Sequence, residues 1–179
     1  MPHVCPIWIG RLLASPARKL LENPDSILGP FVREGMTVLE PGCGMGFFTL
    51  PLARMVGETG RVVVVDVQEQ MLRGLKKRAA KAGLLERIEC RLAAGDDSCI
   101  SDLRESVDFA VAINVVHETP DPATFIRELA ETIKPGGRLL VVEPSGHVSQ
   151  KAFQVTVDMA CDAGLLLSEH ASLRAVFVK

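Results

Sequence analysis

Four consecutive valines, Val62 to Val65, lie between Arg61 and Asp66. A strand with one wet face alternates apolar and polar side chains, so a run with no polar residue across strand length must be covered on both faces. Such strands occur in parallel sheets layered by helices. This run therefore constrains the chain more than any other feature.

The flanking sequence supplies the rest of that architecture. From residue 36 onward, strand-like and helix-like segments alternate. "MTVLEP", "RIECRL", "SVDFAVAIN" and "RLLVVEP" read as further strands. Phe48, Leu52, Ala53 and Val56 share one helical face that stops at Gly57, with Pro51 tolerated near the first turn. Met71, Leu72, Leu75 and Ala79 form the inner face of a second helix ending at Gly83. Asp121 and Pro122 form a cap and first position, followed by Ile126, Leu129, Ala130 and Ile133 at helical spacing, and "KPGG" breaks that helix. "SQKAFQVTVDMACDAGL" is a last helix, ending at Gly164. "LLLSEHA" and "LRAVFVK" read as an antiparallel hairpin. Repeated strand–helix units predict an open, doubly wound α/β sheet with helices on both faces, whose ligands bind beyond the carboxyl ends of the strands.

At 179 residues the chain fits one domain of ordinary composition, 47% hydrophobic and 23% charged. A net charge of −2 provides no broad basic surface for a nucleic-acid backbone. No apolar run reaches the length of a membrane span and no basic leader precedes one, so a cytoplasmic protein is expected. Five cysteines, Cys5, Cys43, Cys90, Cys99 and Cys161, have no zinc-type spacing. They are expected as reduced thiols, with no metal.

The ligand is addressed by "VLEPGCGMGFFTLPLA", residues 38 to 53, where Gly42, Gly44 and Gly46 alternate after Glu40. A phosphate-cradling Walker loop needs a Gly-Lys-Ser/Thr ending, which is missing. A dinucleotide fingerprint needs glycine where Phe47 stands. An acid at position 40 suits a ligand with a positive amino group. Asp66, at the tip of the second strand, can accept both ribose hydroxyls. Asp96 and Asp97 follow the third strand, where an acid can accept an adenine amino group. These features describe S-adenosylmethionine.

Taken with "VVVVDVQEQML", "AAGDD", "NVVHETPDP" and "IKPGGRLLVVEP", this stretch resembles class I S-adenosylmethionine-dependent methyltransferases, and within them the small-molecule branch with the quinone-biosynthesis and arsenite-type enzymes. The resemblance covers about residues 36 to 179. It implies a Rossmann-like seven-stranded sheet in the order 3-2-1-4-5-7-6, mostly parallel, with the last strand antiparallel. It implies a domain over 36–179 preceded by an N-terminal arm, 1–35. By position, Glu40, Gly42, Cys43, Gly44 and Gly46 would hold the methionine part, and Asp66 the ribose. Val67 and Met71 would pack on the adenosine, Asp96 or Asp97 would reach the adenine, and Asn114 would lie beside the methionine moiety. The product would be S-adenosylhomocysteine. Two departures stand out. Glu40 replaces the common aspartate and precedes Pro41, and the acidic pair sits later than in many members.

The donor sulfur is already activated, so catalysis needs in-line approach in a dry pocket and a base only when the acceptor must lose a proton. The place of a planar-nitrogen methylation motif reads Asn114-Val115-Val116-His117, and the chain has no tyrosine. That argues against base or glutamine methylation. His117, Glu118 and His147 follow the fourth and fifth strands and are candidates for the acceptor pocket, with either histidine as general base. Trp8 and the apolar arm around it are candidates for a lid, for packing on the sheet edge or for a dimer contact, with Ser15-Pro16 starting a helix there and Asn23-Pro24 ending it. Arg73, Lys76, Lys77, Arg78 and Lys81 read as a solvated helix face. The expected function is methyl transfer to a small molecule by a monomer or homodimer without membrane or nucleic-acid partners. The alternatives are a protein or RNA methyltransferase, and a non-catalytic cofactor-binding regulatory protein.

Overall fold

The computed structural model describes residues 22–94 and 98–179. Its strands are β1 (Thr37–Pro41), β2 (Arg61–Asp66), β3 (Ile88–Leu92), β4 (Val107–Ile113), β5 (Ile133–Val142), β6 (Leu166–Ala171) and β7 (Arg174–Val178). Its helices are α1 (Pro24–Leu28), α2 (Thr49–Met55), α3 (Glu69–Lys81), α4 (Pro122–Thr132) and α5 (Gln150–Asp162). The sheet order is β3-β2-β1-β4-β5-β7-β6, as the family resemblance implied. β2 runs parallel to β1 and β3, β5 parallel to β4, and β7 antiparallel to β5 and β6. The described residues divide into two compact units, 22–99 and 100–179.

In the first unit the valine run is sandwiched as expected. Val62 pairs with Val38 on one side and Ile88 on the other, and Val62, Val63 and Val64 are fully buried. Met71, Leu72, Leu75 and Ala79 are the buried stripe of α3, which packs on β2 and β3. Gly57 and Gly83, both with positive φ, end α2 and α3. Asn23-Pro24 starts α1. Asn23 Oδ1 accepts the Asp25 N–H at 3.0 Å and Pro24 takes the first position, the chemistry also used at Asp121-Pro122. The helix expected from Ser15-Pro16 lies outside the described residues.

In the second unit Phe109, Leu139, Phe153 and Phe177 form the centre of the core. Asp121 caps α4 by accepting the Thr124 N–H at 3.1 Å, and Ser149 caps α5 through Ala152 at 3.1 Å. Ile133 does not belong to the α4 face as expected. It is extended, buried and paired with Val107 as the first residue of β5. The pairing then shifts, so that Arg138 is next in register, opposite Phe109. "KPGG" is therefore a bulge within β5 rather than a linker before it. Gly136 turns it with a φ of 79°. A Cβ on Gly137 would lie 2.7 Å from Ile133 Cγ2, so only glycine fits. Lys134 Nζ closes the bulge on Asp108 Oδ1 at 2.7 Å.

Candidate functional site

Each unit carries one cluster of chemically capable side chains at the ends of its strands. In residues 22–99 the cluster is built around the glycine loop between β1 and α2. Gly42, Gly44 and Gly46 have φ values of 69°, 51° and 82°, which side-chain-bearing residues rarely adopt. Two of them do different work. A Cβ on Gly46 would sit 2.3 Å from Leu75 Cδ1, so this glycine lets the loop rest on α3. A Cβ on Gly44 would meet nothing within 4 Å, so this glycine leaves open space in front of the backbone.

Asp66 fastens the loop. Its Oδ2 accepts the Gly44 N–H at 2.9 Å and its Oδ1 accepts the Gln68 N–H at 2.8 Å. Burial pushes the Asp66 carboxyl above the usual range, opposed by these backbone donors. Each carboxylate oxygen has a second lone pair, so acceptance from a diol is compatible with this tether. Glu40 is more enclosed. Its Oε2 accepts from the fully buried Thr49 hydroxyl at 2.6 Å. Burial raises its pKa to about 8, with a smaller push from the charge of Asp66. An acid held this way is neutral near pH 7 and regains its charge when a cation arrives.

Cys43 is buried and its thiol is pushed far up by burial and by Glu40, so it is inert packing. Val67 is 60% exposed, a bare aliphatic side chain beside Asp66. Leu92, in register with Asp66, is 45% exposed on the next strand tip. Met71 is enclosed in the core, so of the two side chains expected against an adenosine only Val67 is presented. Asp96 and Asp97 lie outside the described residues.

One anchor was not anticipated. Arg78 was grouped with a solvated basic face, but it is half-buried and its Nη1 donates to the Met45 carbonyl at 2.7 Å. Its neighbour on the same helix face, Gly74, leaves room for the Met45 side chain. Only its distance from the loop in space, which composition does not reveal, separated Arg78 from Arg73, Lys76, Lys77 and Lys81. Those four are exposed.

In residues 100–179 the cluster lies after β4 and β5. Asn114 takes a φ of 56° and its N–H closes the β4 tip on Val142 O at 2.8 Å. A 3-10 turn, Val116–Glu118, then presents His117. Glu143, the residue after β5, was not anticipated as a partner. Its Oε2 meets His117 Nδ1 at 2.5 Å and its Oε1 accepts the His117 backbone N–H at 3.2 Å. The Glu143 side chain is only 1% exposed. Burial raises its pKa, and His117 pulls it back. The available signal was an acid closing an apolar strand, as Asp66 closes β2. The His147 ring stands edge-on to His117, with centroids 5.8 Å apart. These groups border a cleft of about 320 Å³ lined also by Val116, Pro122, Val148, Ala152, Val155, Thr156 and Met159. Glu118 is not among its lining residues. Trp8 lies outside the described residues.

No group of three or more His, Cys, Asp or Glu side chains capable of holding a metal occurs among the described residues. No described helix is long and apolar enough to cross a membrane.

Residues 32–172 match the family model described as Methyltransferase domain. The ubiquinone/menaquinone biosynthesis C-methyltransferase UbiE of Escherichia coli O1:K1 / APEC is 33% identical over 112 residues, which are 63% of this chain and 44% of that protein. The chain thus matches less than half the length of this curated relative. A SAM-dependent methyltransferase from Aquifex aeolicus superposes with a TM-score of 0.85 at 27% identity, covering 98% of each chain. The fold is also shared with a putative S-adenosyl-L-methionine-dependent methyltransferase from Methanococcus maripaludis, with a TM-score of 0.76 and 18% identity over 97% of this chain and 90% of that one.

Proposed function

The chain belongs to the class I S-adenosylmethionine-dependent methyltransferases, and on that footing we propose that it methylates a small molecule in the cytoplasm, as a monomer or homodimer. Residues 36–179 are its S-adenosylmethionine-binding domain, preceded by an N-terminal arm or lid over 1–35. The observation that carries the cofactor assignment is the open face of Gly44, where a Cβ would meet nothing, in a loop tethered to Asp66 and backed by the buried acid Glu40.

These residues fit the group. Glu40 favours a ligand ammonium, because a positive charge restores the ionisation that burial suppresses. The backbone of Gly42, Cys43, Gly44 and Gly46 takes the methionine part. Asp66 takes the ribose through its remaining lone pairs, and Val67 lies against the adenosine. Asp96 or Asp97 takes the adenine amino group. When bound, S-adenosylmethionine supplies a methyl group on a positively charged sulfur that leaves as a neutral thioether.

The acceptor side is supported by the cleft with its two histidines. His117 and His147 orient the acceptor, and His117 takes a proton where the reaction releases one. The apolar walls exclude water from the approach of the two reactants. The relatives named for quinone biosynthesis agree with an acceptor of small-molecule size.

Calorimetric titration with S-adenosylhomocysteine tests the reading. Wild type is expected to bind, and Asp66→Ala to bind at least about tenfold more weakly, the loss of one charge-assisted contact. Absence of binding by wild type at millimolar ligand would sink it.

A further inference from the structure

We infer that the cleft between the Val116–Glu118 turn, the end of β5 and helix α5 takes an uncharged small molecule whose reacting atom carries a proton, and that Glu143 is the positioning residue that makes His117 the base for that proton. The inference rests on the methyl-transfer reading above and narrows its acceptor.

None of the described residues lining the cleft is lysine or arginine, so an anionic ligand finds no fixed cation among them. The one carboxylate among them, Glu143, has a side chain only 1% exposed and is held by His117 through its ring and its backbone N–H. A cationic ligand therefore finds no exposed counter-charge among the described lining residues. Desolvating an unpaired charge in such a place is costly, which leaves a neutral body.

Helix α5 supplies the second observation. Phe153, Val157 and Ala160 are its core face. Ala152, Val155 and Met159, at helical spacing, line the cleft, and Val155 is 47% exposed. A helix with one covered side needs only one apolar face. This second apolar stripe gives the cleft an apolar wall, suited to an apolar ligand body.

The third observation is the orientation of the imidazole. In its ionised form Glu143 accepts at both oxygens, which places the ring proton on Nδ1. Nε2 is then the unprotonated nitrogen. The step balances as follows. The acceptor's lone pair forms the new bond to the methyl carbon, the old carbon–sulfur pair stays on the neutral thioether, and the acceptor's proton moves to Nε2. The imidazolium that forms keeps its Nδ1–H on Glu143, and releases the added proton to solvent. His147, edge-on to the ring and held by its own N–H to Pro144 O at 3.1 Å, borders the cleft beside His117.

4-Nitrophenol, whose colour reports its ionisation, and 4-nitroanisole, of similar shape but without the acidic proton, test this directly. Wild type is expected to bind both, and to turn 4-nitrophenol into its phenolate at a pH where the free probe is mostly neutral. Val155→Trp fills the cleft and is expected to weaken both probes at least tenfold, roughly the loss of one buried contact set, while S-adenosylhomocysteine affinity stays unchanged. His117→Gln is expected to bind the probes without the colour change. Glu143→Gln is expected to bind them and to shift the ionisation by about one pKa unit or more, a tenfold effect. Wild type binding neither probe, Val155→Trp binding them normally, or an undiminished colour change in His117→Gln or Glu143→Gln each overturns the inference. Failure of wild type to bind S-adenosylhomocysteine instead removes the methyl-transfer reading, leaving the probe results to stand by themselves.

Discussion

Replacing Glu40 by Gln isolates the energetics of the buried acid. The amide keeps the side-chain length and the hydrogen bond to Thr49, with no ionisable group. In the wild-type protein burial holds the Glu40 pKa at about 8, against an ordinary 4.5. Between those two pH values the folded protein keeps a proton that the unfolded chain has released. Stability from this group is therefore complete below about pH 4.5, declines as pH rises, and is lost above about pH 8. Each pKa unit corresponds to about 1.4 kcal/mol, so the decline across the window is on the order of 5 kcal/mol. Water entering the loop as the acid ionises reduces that figure.

Glu40→Gln has no such slope. Urea unfolding of both proteins from pH 5 to 9 is expected to show the variant gaining on wild type by several kcal/mol toward the alkaline end. The same substitution alters ligand binding. Near pH 7, S-adenosylhomocysteine carries an ammonium that recharges Glu40, so wild type should release up to about one proton on binding. Calorimetry in buffers of different ionisation enthalpy counts that proton, and the variant should release none from this position. A stability difference that stays flat between pH 5 and 8 would refute the reasoning, because it would mean that Glu40 is charged in the folded protein throughout.

Three further outcomes follow from the geometry. Gly44→Ala should cost about 1–2 kcal/mol for the left-handed backbone and sharply weaken S-adenosylhomocysteine, whereas Gly46→Ala should lose more stability because it also displaces Leu75; denaturation and titration side by side separate the two. Arg78→Met, which removes the donor to the Met45 carbonyl, should lower stability by about 1 kcal/mol and raise the cofactor KM, with Arg78→Lys partly restoring both. Iodoacetamide on the native protein, followed by peptide mass spectrometry, should modify the exposed Cys161 early and Cys43 only on unfolding, since the Cys43 thiol is buried and its pKa is pushed up.

What could be read along the chain was periodic or local. The valine run demanded a strand covered on both faces, and the α3 stripe of Met71, Leu72, Leu75 and Ala79 followed from helical spacing. The Asp121 and Ser149 caps and the glycines with positive φ depend only on neighbouring residues and backbone sterics. At Asn23-Pro24 the same local reading marked a boundary without showing that α1 begins there. It failed at Ile133 because strand pairing with Val107 outweighed helical spacing.

The acid positions Glu40 and Asp66 were legible as residue types at strand ends. What holds them was not. Asp66 reaches Gly44 across 22 residues, Glu143 reaches His117 across 26, and Arg78 reaches Met45 across 33. Such pairs form only when packing brings separate loops and helices together, and no period in the sequence encodes them. Periodicity and spacing therefore determined the α/β sheet and the positions of its glycine loop and strand-end acids. Tertiary packing decided that Glu40 is enclosed, that Arg78 supports the loop, and that Glu143 orients His117, because burial and partner geometry set the charge and direction of those groups.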